Sequence, residues 1–333
     1  MSERNQSLHN WLSNIFETSD YDLKPASEDA SFRMYYRLYL QDETFIVMDA
    51  PPQHENSALF IDITNRLQHC KVNAPLIHKE NTAEGFLLLS DFGDELYLPN
   101  LTQTTADALY KDAINTLVKI QVSGDVKNLD CYDEALLRRE VSLFSDWLLI
   151  KHLQLEVNDE LDKELEAVVV QLIDNALEQP QVFVHRDFHS RNLMLTRTNN
   201  PGVIDYQDAV HGPLSYDLVS LLKDCYIKWS KAEINNWIDF YLKQLAESNP
   251  GYDINREQFQ RWFDLMGVQR HLKASGIFAR LSHRDSKHGF LKDIPRTLSY
   301  IVDLRPDYPE LEPLCGLIED SVLPALEQKP CGQ

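Results

Sequence analysis

His185-Arg186-Asp187-Phe188-His189-Ser190-Arg191-Asn192, followed shortly by Val203-Ile204-Asp205-Tyr206, decides how this chain is read. An aspartate comes first, an asparagine follows five residues on, and a second aspartate ends a short apolar run. Those groups suit phosphoryl transfer. One carboxylate can orient an attacking hydroxyl and accept its proton, while an amide oxygen and a second carboxylate can hold Mg²⁺ against nucleotide phosphates. The spacing alone is a weak signal, and its surroundings sharpen it. Gln181-Val182-Phe183-Val184 leads into the loop and Leu193-Met194-Leu195 leads out. The polar turn Thr198-Asn199-Asn200-Pro201-Gly202 then returns to Val203-Ile204. A small hairpin presenting all three polar groups at one end is expected; a surface hairpin with ordinary turn residues is the alternative.

Upstream of the loop, residues 7–17 carry Leu8, Trp11, Leu12, Ile15 and Phe16 at helical spacing. Phe32 to Leu40 then alternates, with Phe32, Met34, Tyr36, Leu38 and Leu40 on one face and Arg33, Tyr35, Arg37 and Tyr39 on the other. Gln41-Asp42-Glu43 turns the chain into a second strand from Thr44 to Met48, which Pro51-Pro52 stops. A helix over 55–69 and strands at Leu76-Ile77-His78 and Phe86-Leu87-Leu88-Leu89 follow. From Thr104 the pattern turns helical, with Leu109, Ala113, Leu117 and Ile120 on one face. Residues 134–150 and 160–178 continue it, and helices resume after Leu214. The class expected is α+β: a small antiparallel sheet lobe over 1–91, then a larger, mainly helical lobe over 92–333 that carries the loop and the substrate site.

The loop resembles the H-R-D-x-x-x-x-N loop of protein kinases, with Asp205 in the place of their metal-binding aspartate. More broadly, the chain is similar to the aminoglycoside phosphotransferase and choline kinase superfamily, which shares the protein-kinase fold. A narrower resemblance, to bacterial anomeric amino-sugar kinases, rests on three stretches. They are Glu28-Asp29-Ala30-Ser31-Phe32-Arg33-Met34-Tyr35-Tyr36-Arg37, Ile46-Val47-Met48-Asp49-Ala50-Pro51-Pro52, and Gln269-Arg270-His271-Leu272-Lys273 through Arg280-Leu281-Ser282-His283-Arg284-Asp285. That subfamily phosphorylates N-acetylmuramate and N-acetylglucosamine at C1 in cell-wall recycling. The resemblance covers nearly the whole chain. It implies a two-lobed protein-kinase-like fold, ATP and Mg²⁺ as cofactors, Asp187 as catalytic base, Asn192 and Asp205 as metal ligands, and a small amino sugar as acceptor.

The nucleotide side departs from the kinase pattern. No glycine occurs in Glu28-Asp29-Ala30-Ser31-Phe32-Arg33, and Met48 stands where the third-strand lysine is expected. Ser31 can donate from its hydroxyl and backbone N–H, and Arg33 can supply the missing cation as a guanidinium fork. Arg33 on a solvated strand face is the alternative. Leu89 and Asp91 fall at the inter-lobe connector, where adenine pairs with main-chain groups. Asp91-Phe92-Gly93 spells the kinase metal motif but precedes the catalytic loop, and His283-Arg284-Asp285 has Phe290 where an asparagine is required. His185 is expected to brace the loop and Asp217 to hydrogen-bond it. His189 is either a substrate contact or an ordinary loop side chain. Arg270, His271, Lys273, Arg280 and Arg284 form a basic cluster, one or two of which can meet an acceptor carboxylate, while Arg280 and Arg284, four apart, can equally decorate one helix face.

Composition closes off other classes. The chain has 333 residues, 43% of them hydrophobic, and a formal charge of −20, which weighs against nucleic acid or anionic membranes as partners. An acidic surface would also suit a cationic acceptor, so an aminoglycoside or choline-type phosphotransferase stays open. The missing lysine leaves a catalytically silent nucleotide-binding protein as a third reading. Five scattered cysteines without a C-x-x-C pair argue for free thiols in a reducing compartment, and no secretory signal or membrane span is seen. A cytoplasmic enzyme is the expectation.

Overall fold

Five strands pair antiparallel in a computed structural model that describes residues 3–28, 32–156 and 158–329. They are β1 (Asp22–Glu28), β2 (Met34–Leu40), β3 (Glu43–Asp49), β4 (Ile77–Asn81) and β5 (Phe86–Ser90), in the order β1-β2-β3-β5-β4. The register aligns Tyr36 with Val47 and Val47 with Leu88, so one apolar row crosses three strands. Leu38 and Phe86 join that face, and helix α1 (Glu3–Phe16) covers it with Leu8 and Leu12. The alternation thus works as expected from Tyr36 onward. Before it, Phe32 and Met34 are 65% and 53% exposed, and Phe32 instead stacks on His54 with ring centroids 4.4 Å apart.

Strand β1 is an element the hydrophobic pattern did not reveal. Asp22-Leu23-Lys24-Pro25-Ala26-Ser27-Glu28 has little alternation, and Pro25 argues against a central strand. At the sheet edge that objection lapses, and the register with β2 slips between Pro25 and Ser27. Helix α2 (Ser57–His69) starts where the Asn56 side chain accepts from the Ala58 N–H, and it buries Phe60, Ile63, Thr64 and Leu67. These elements belong to the first of two units, which comprises Met1–Glu95 and Met194–Gln207.

The second unit comprises Leu96–Leu193 and Asp208–Gln333. Its helices include α3 (Tyr97–Asn100), α4 (Ala106–Ser123), α5 (Glu134–Leu143), α6 (Asp159–Leu177), α7 (Tyr216–Leu222), α8 (Lys231–Ser248), α9 (Arg256–Asp285) and α10 (Ile294–Val302). Helix α5 runs on into a π-helical stretch, Phe144–Leu153. The 30-residue α9 is buried on nearly every side, which is why its sequence lacks a clear apolar stripe. At Gly276 a Cβ would stand 2.3 Å from the Leu143 carbonyl, so glycine permits the close approach of the two backbones. The strands Gln181–Val184 and Val210–Pro213 pair antiparallel and frame the loop that begins at His185. Among the described residues no helix is long and apolar enough to cross a membrane.

Candidate active site

The 185–192 loop contains too few residues to satisfy its own backbone, and buried carboxylates do so instead. Asp217, in the first turn of α7, accepts from the His185 N–H at 2.7 Å and the Arg186 N–H at 3.0 Å. Asp224 accepts from both the backbone N–H and the hydroxyl of Ser190. The Asp187 N–H donates to His185 Nδ1 at 3.2 Å, which fixes that ring as a brace. The Asp187 carbonyl receives the His189 N–H and the Asn192 Nδ2, each at 3.0 Å. Asp217 and His185 therefore play the structural parts expected of them.

Arg186 adopts φ 75°, a left-handed conformation that a long side chain adopts only under restraint. Its restraint is Glu140 of α5, buried and ion-paired with both Arg186 and Lys273, the latter at 3.0 Å. The Tyr132 hydroxyl also donates to Glu140, and Lys273 Nζ donates to the Tyr216 hydroxyl at 2.9 Å. Burial alone would raise the Glu140 carboxyl; Lys273 and Arg186 hold it below the usual range. Burial also opposes the charge on Asp187, yet Lys273, His189, Arg270 and Arg186 keep its carboxyl below the ordinary value. Asp217, deeper and without such a cation shell, is pushed up to about 7 by burial, despite its two backbone hydrogen bonds. The loop therefore carries one carboxyl held towards its charged form and is held by another that burial pushes towards its neutral form.

The basic cluster expected on the third stretch divides in two. Arg270, His271 and Lys273 are buried in α9. His271 meets the Lys223 carbonyl at 2.8 Å, and burial lowers its pKa to about 3, so it is neutral. Arg284 pairs with its neighbour Asp285 at 2.8 Å in the last turn of α9. That explains the second H-R-D as a helix end. His189 is half-buried, its ring edge-on to Tyr226 at 5.7 Å, and burial keeps its imidazole below the usual pKa.

In the first unit, Asp205 also takes a left-handed backbone, φ 61°, which aspartate tolerates better than most residues. Tyr206 anchors it: the ring packs on Phe60 at 5.1 Å and the hydroxyl meets Thr64 Oγ1 at 2.8 Å. Gln207 Nε2 donates to Asp205 Oδ1 at 2.9 Å. Arg33 is ion-paired with Glu55 at 2.9 Å, and Glu55 also receives the Phe32 N–H. Ser31 lies outside the described residues. Met48 is buried, so the third-strand lysine position is a core position here. Leu89 is buried in β5, and the Asp91 carboxylate takes Arg37 Nε at 2.7 Å and caps the Gly93 N–H at 2.9 Å. Phe92 packs against Gly202, where a Cβ would come within 2.7 Å of its ring. The early D-F-G is thus a turn and a packing contact.

Donation from Asn192 Nδ2 to the Asp187 carbonyl turns the amide oxygen the other way, and an amide oxygen, like the carboxylate of Asp205, is a hard donor of the kind Mg²⁺ takes. Among the described residues no three His, Cys, Asp or Glu side chains converge into a metal cage. A hard ion bound through one carboxylate, an amide and substrate phosphates needs none.

Beside the loop, within the second unit, lies a cavity of about 640 Å³ lined in part by Arg191, Tyr226, Phe290, Lys292 and Arg296. Its volume suits a small ligand. The backbone N–H of Tyr226 donates to Asp224 at 3.0 Å, so the carboxylate that fixes Ser190 also fixes this wall. Glu140, Asp224 and the cavity residues escaped the sequence reading. Their partners are distant in sequence, 46 residues for Arg186 and Glu140, and no local spacing marks them.

A small antiparallel sheet in one unit, a larger helical part in the other, and an H-x-D-x-x-x-x-N loop define a kinase-like phosphotransferase. Residues 22–256 match the phosphotransferase enzyme family, and the chain belongs to it. It is 45% identical over 298 residues to a Pseudomonas putida protein named N-acetylmuramate/N-acetylglucosamine kinase, covering 90% of this chain and 88% of that one. A Pseudomonas aeruginosa protein of the same name is 41% identical over 321 residues, covering 92% and 95%. Among solved structures, an ethanolamine kinase from Plasmodium vivax superposes with a TM-score of 0.65 at 14% identity, covering 88% of this chain and 86% of that one. At that identity the likeness shows the fold.

Proposed function

We propose that this enzyme transfers the γ-phosphoryl group of ATP to the C1 hydroxyl of N-acetylmuramate, N-acetylglucosamine or both. The observation that carries the reading is Asp187, kept ionised on a loop whose backbone two buried carboxylates clamp. The choice of acceptor is supported by the names of the relatives at 45% and 41% identity. The sugar hydroxyl donates its proton to Asp187 as its oxygen bonds to phosphorus, and the bond from phosphorus to the departing ADP oxygen breaks. An anomeric hydroxyl is more acidic than an ordinary alcohol, so a carboxylate of depressed pKa is a sufficient acceptor. Asn192 and Asp205 would hold Mg²⁺, which would supply positive charge to offset that developing on the phosphates.

Toward ATP we assign Ser31, Arg33 and the main chain at Leu89 and Asp91. The Arg33–Glu55 pair supports Arg33 in this part, because it sets a guanidinium immediately after the loop expected over the phosphates. A cytoplasmic setting fits the free thiols of Cys70, Cys131, Cys225 and Cys315. A cationic acceptor such as an aminoglycoside fits poorly with Arg191, Lys292 and Arg296 around the cavity. ADP release from ATP and Mg²⁺ in the presence of N-acetylmuramate, N-acetylglucosamine, choline or an aminoglycoside tests the reading. Turnover confined to the two amino sugars is expected; turnover confined to the cationic acceptors would overturn it.

A further inference from the structure

The cavity beside the catalytic loop carries a charge opposite to that of the chain. Overall the protein is −20, yet this wall sets Arg191, Lys292 and Arg296 against one carboxylate, Asp293. Arg296 is occupied: its Nη1 donates to Asp293 at 3.0 Å and to the Tyr226 carbonyl at 3.2 Å. Arg191 differs. Its guanidinium lies 4.7 Å from the centroid of the Tyr226 ring and 5.4 Å from that of Phe290, and among the described residues it forms no ion pair with a carboxylate. Lys292 is exposed and likewise without an ion pair among the described residues. Two aromatic faces hold the Arg191 guanidinium in place, which lowers the ordering cost when a ligand accepts its hydrogen bonds. Three cations share the single carboxylate of Asp293 on this wall, and that surplus of positive charge favours an anionic group.

The wall is tied to the chemistry. Arg191 belongs to the same loop as Asp187 and directly precedes Asn192. Tyr226 meets the ring of His189, and Asp224 fixes both Tyr226 and Ser190. A ligand seated there therefore lies against the loop that carries the base.

We propose that Arg191, with Lys292 in support, is a carboxylate subsite that reads the acidic side arm of an N-acetylmuramate-type acceptor and sets the preference between acidic and neutral amino sugars. The proposal rests on the sugar-kinase reading above and deepens it. N-acetylmuramate differs from N-acetylglucosamine by a lactyl ether that ends in a carboxylate, so the two sugars isolate this one interaction. Arg191 is a specificity-determining residue in this account, and Asp187 remains the proton acceptor for both sugars.

The test compares kcat/KM for the two sugars, at saturating ATP and Mg²⁺, in the wild type, Arg191→Met and Lys292→Met. Loss of one charge-assisted contact should lower the N-acetylmuramate to N-acetylglucosamine ratio about ten- to a hundredfold in Arg191→Met. At Lys292, exposed like Arg191 but without a ring contact among the described residues, the ratio should fall about two- to fivefold. The change should reside mainly in KM for N-acetylmuramate, with partial recovery in Arg191→Lys. Lys292→Met carries the test on its own should Arg191→Met fail to fold. A parallel fall for both sugars, or an unchanged ratio in both variants, would overturn the subsite and leave the sugar-kinase reading standing. Wild-type turnover of neither sugar would overturn both.

Discussion

The catalytic loop of the second unit and the nucleotide-side strands of the first use charge in different ways. Around residues 185–192, buried carboxylates act on backbone N–H groups and on buried cations: Asp217 on His185 and Arg186, Asp224 on Ser190, Glu140 on Arg186 and Lys273. In the first unit, Arg33–Glu55 and Arg37–Asp91 are also largely buried, but each carboxylate takes a single backbone N–H, of Phe32 or of Gly93, beside its arginine. The difference follows from what each region must hold. A proton acceptor has to be positioned to within a fraction of an ångström, which calls for an over-determined backbone. A phosphate needs positive charge in reach, and several residue types and positions can provide that. This is a physical reason why the loop keeps the kinase pattern while the glycine loop and the third-strand lysine are missing.

Breaking the clamp around the loop should therefore cost more than breaking a single pair of the first unit. The largest effect is expected at Glu140. Glu140→Ala leaves Arg186 and Lys273 buried without their carboxylate, a loss of about 3–5 kcal/mol. Denaturant unfolding of the variant checks this, and a loss below about 1 kcal/mol would mean the network is not holding the fold.

Asp217 comes next, and it adds a pH dependence. In Asp217→Asn one amide oxygen replaces two carboxylate oxygens, so one of the two backbone donors loses its acceptor, at about 1–3 kcal/mol. The sign with pH follows from the raised pKa. Folded Asp217 keeps its proton up to about 7, whereas the unfolded chain releases it near the ordinary 3.8. Its contribution is therefore full below 3.8 and is lost as the pH rises through about 7. Between those limits the wild type's stability relative to Asp217→Asn should decline with rising pH, by up to about 1.4 kcal/mol per unit. A difference between the two proteins that does not vary with pH would contradict the assignment.

The smallest effect belongs to the first unit. Arg33→Ala should raise KM for ATP about five- to twentyfold, leave KM for the sugar within about twofold, and destabilise the fold by about 1–2 kcal/mol, because the largely buried Glu55 loses its cation. Unchanged nucleotide affinity and turnover would remove Arg33 from the nucleotide site and return it to a structural pair with Glu55.

How much could be read from the sequence follows the same division. The loop was legible because its groups lie within eight consecutive residues, and the sheet because alternation in 34–40 is a local property. Edge strand β1 was not, since proline and polar residues are tolerated there and leave no pattern. Helix α9 hid its role because a helix buried all round has no apolar stripe, so the sequence did not show that Arg270 and Lys273 are buried or that Lys273 pairs with Glu140. Glu140 and Asp224 carry no local mark. A buried carboxylate is recognised by what it touches, and those partners come together only in the folded chain.

The account's central claim is that Asp187, held ionised on a clamped loop, accepts the proton of the sugar hydroxyl. The most direct test is the turnover number of Asp187→Asn at saturating ATP, Mg²⁺ and amino sugar, measured beside its affinity for ATP. We expect turnover to fall roughly 10²–10⁴-fold while ATP affinity stays within about threefold. Turnover within about threefold of the wild type would contradict the claim and place the proton acceptor elsewhere.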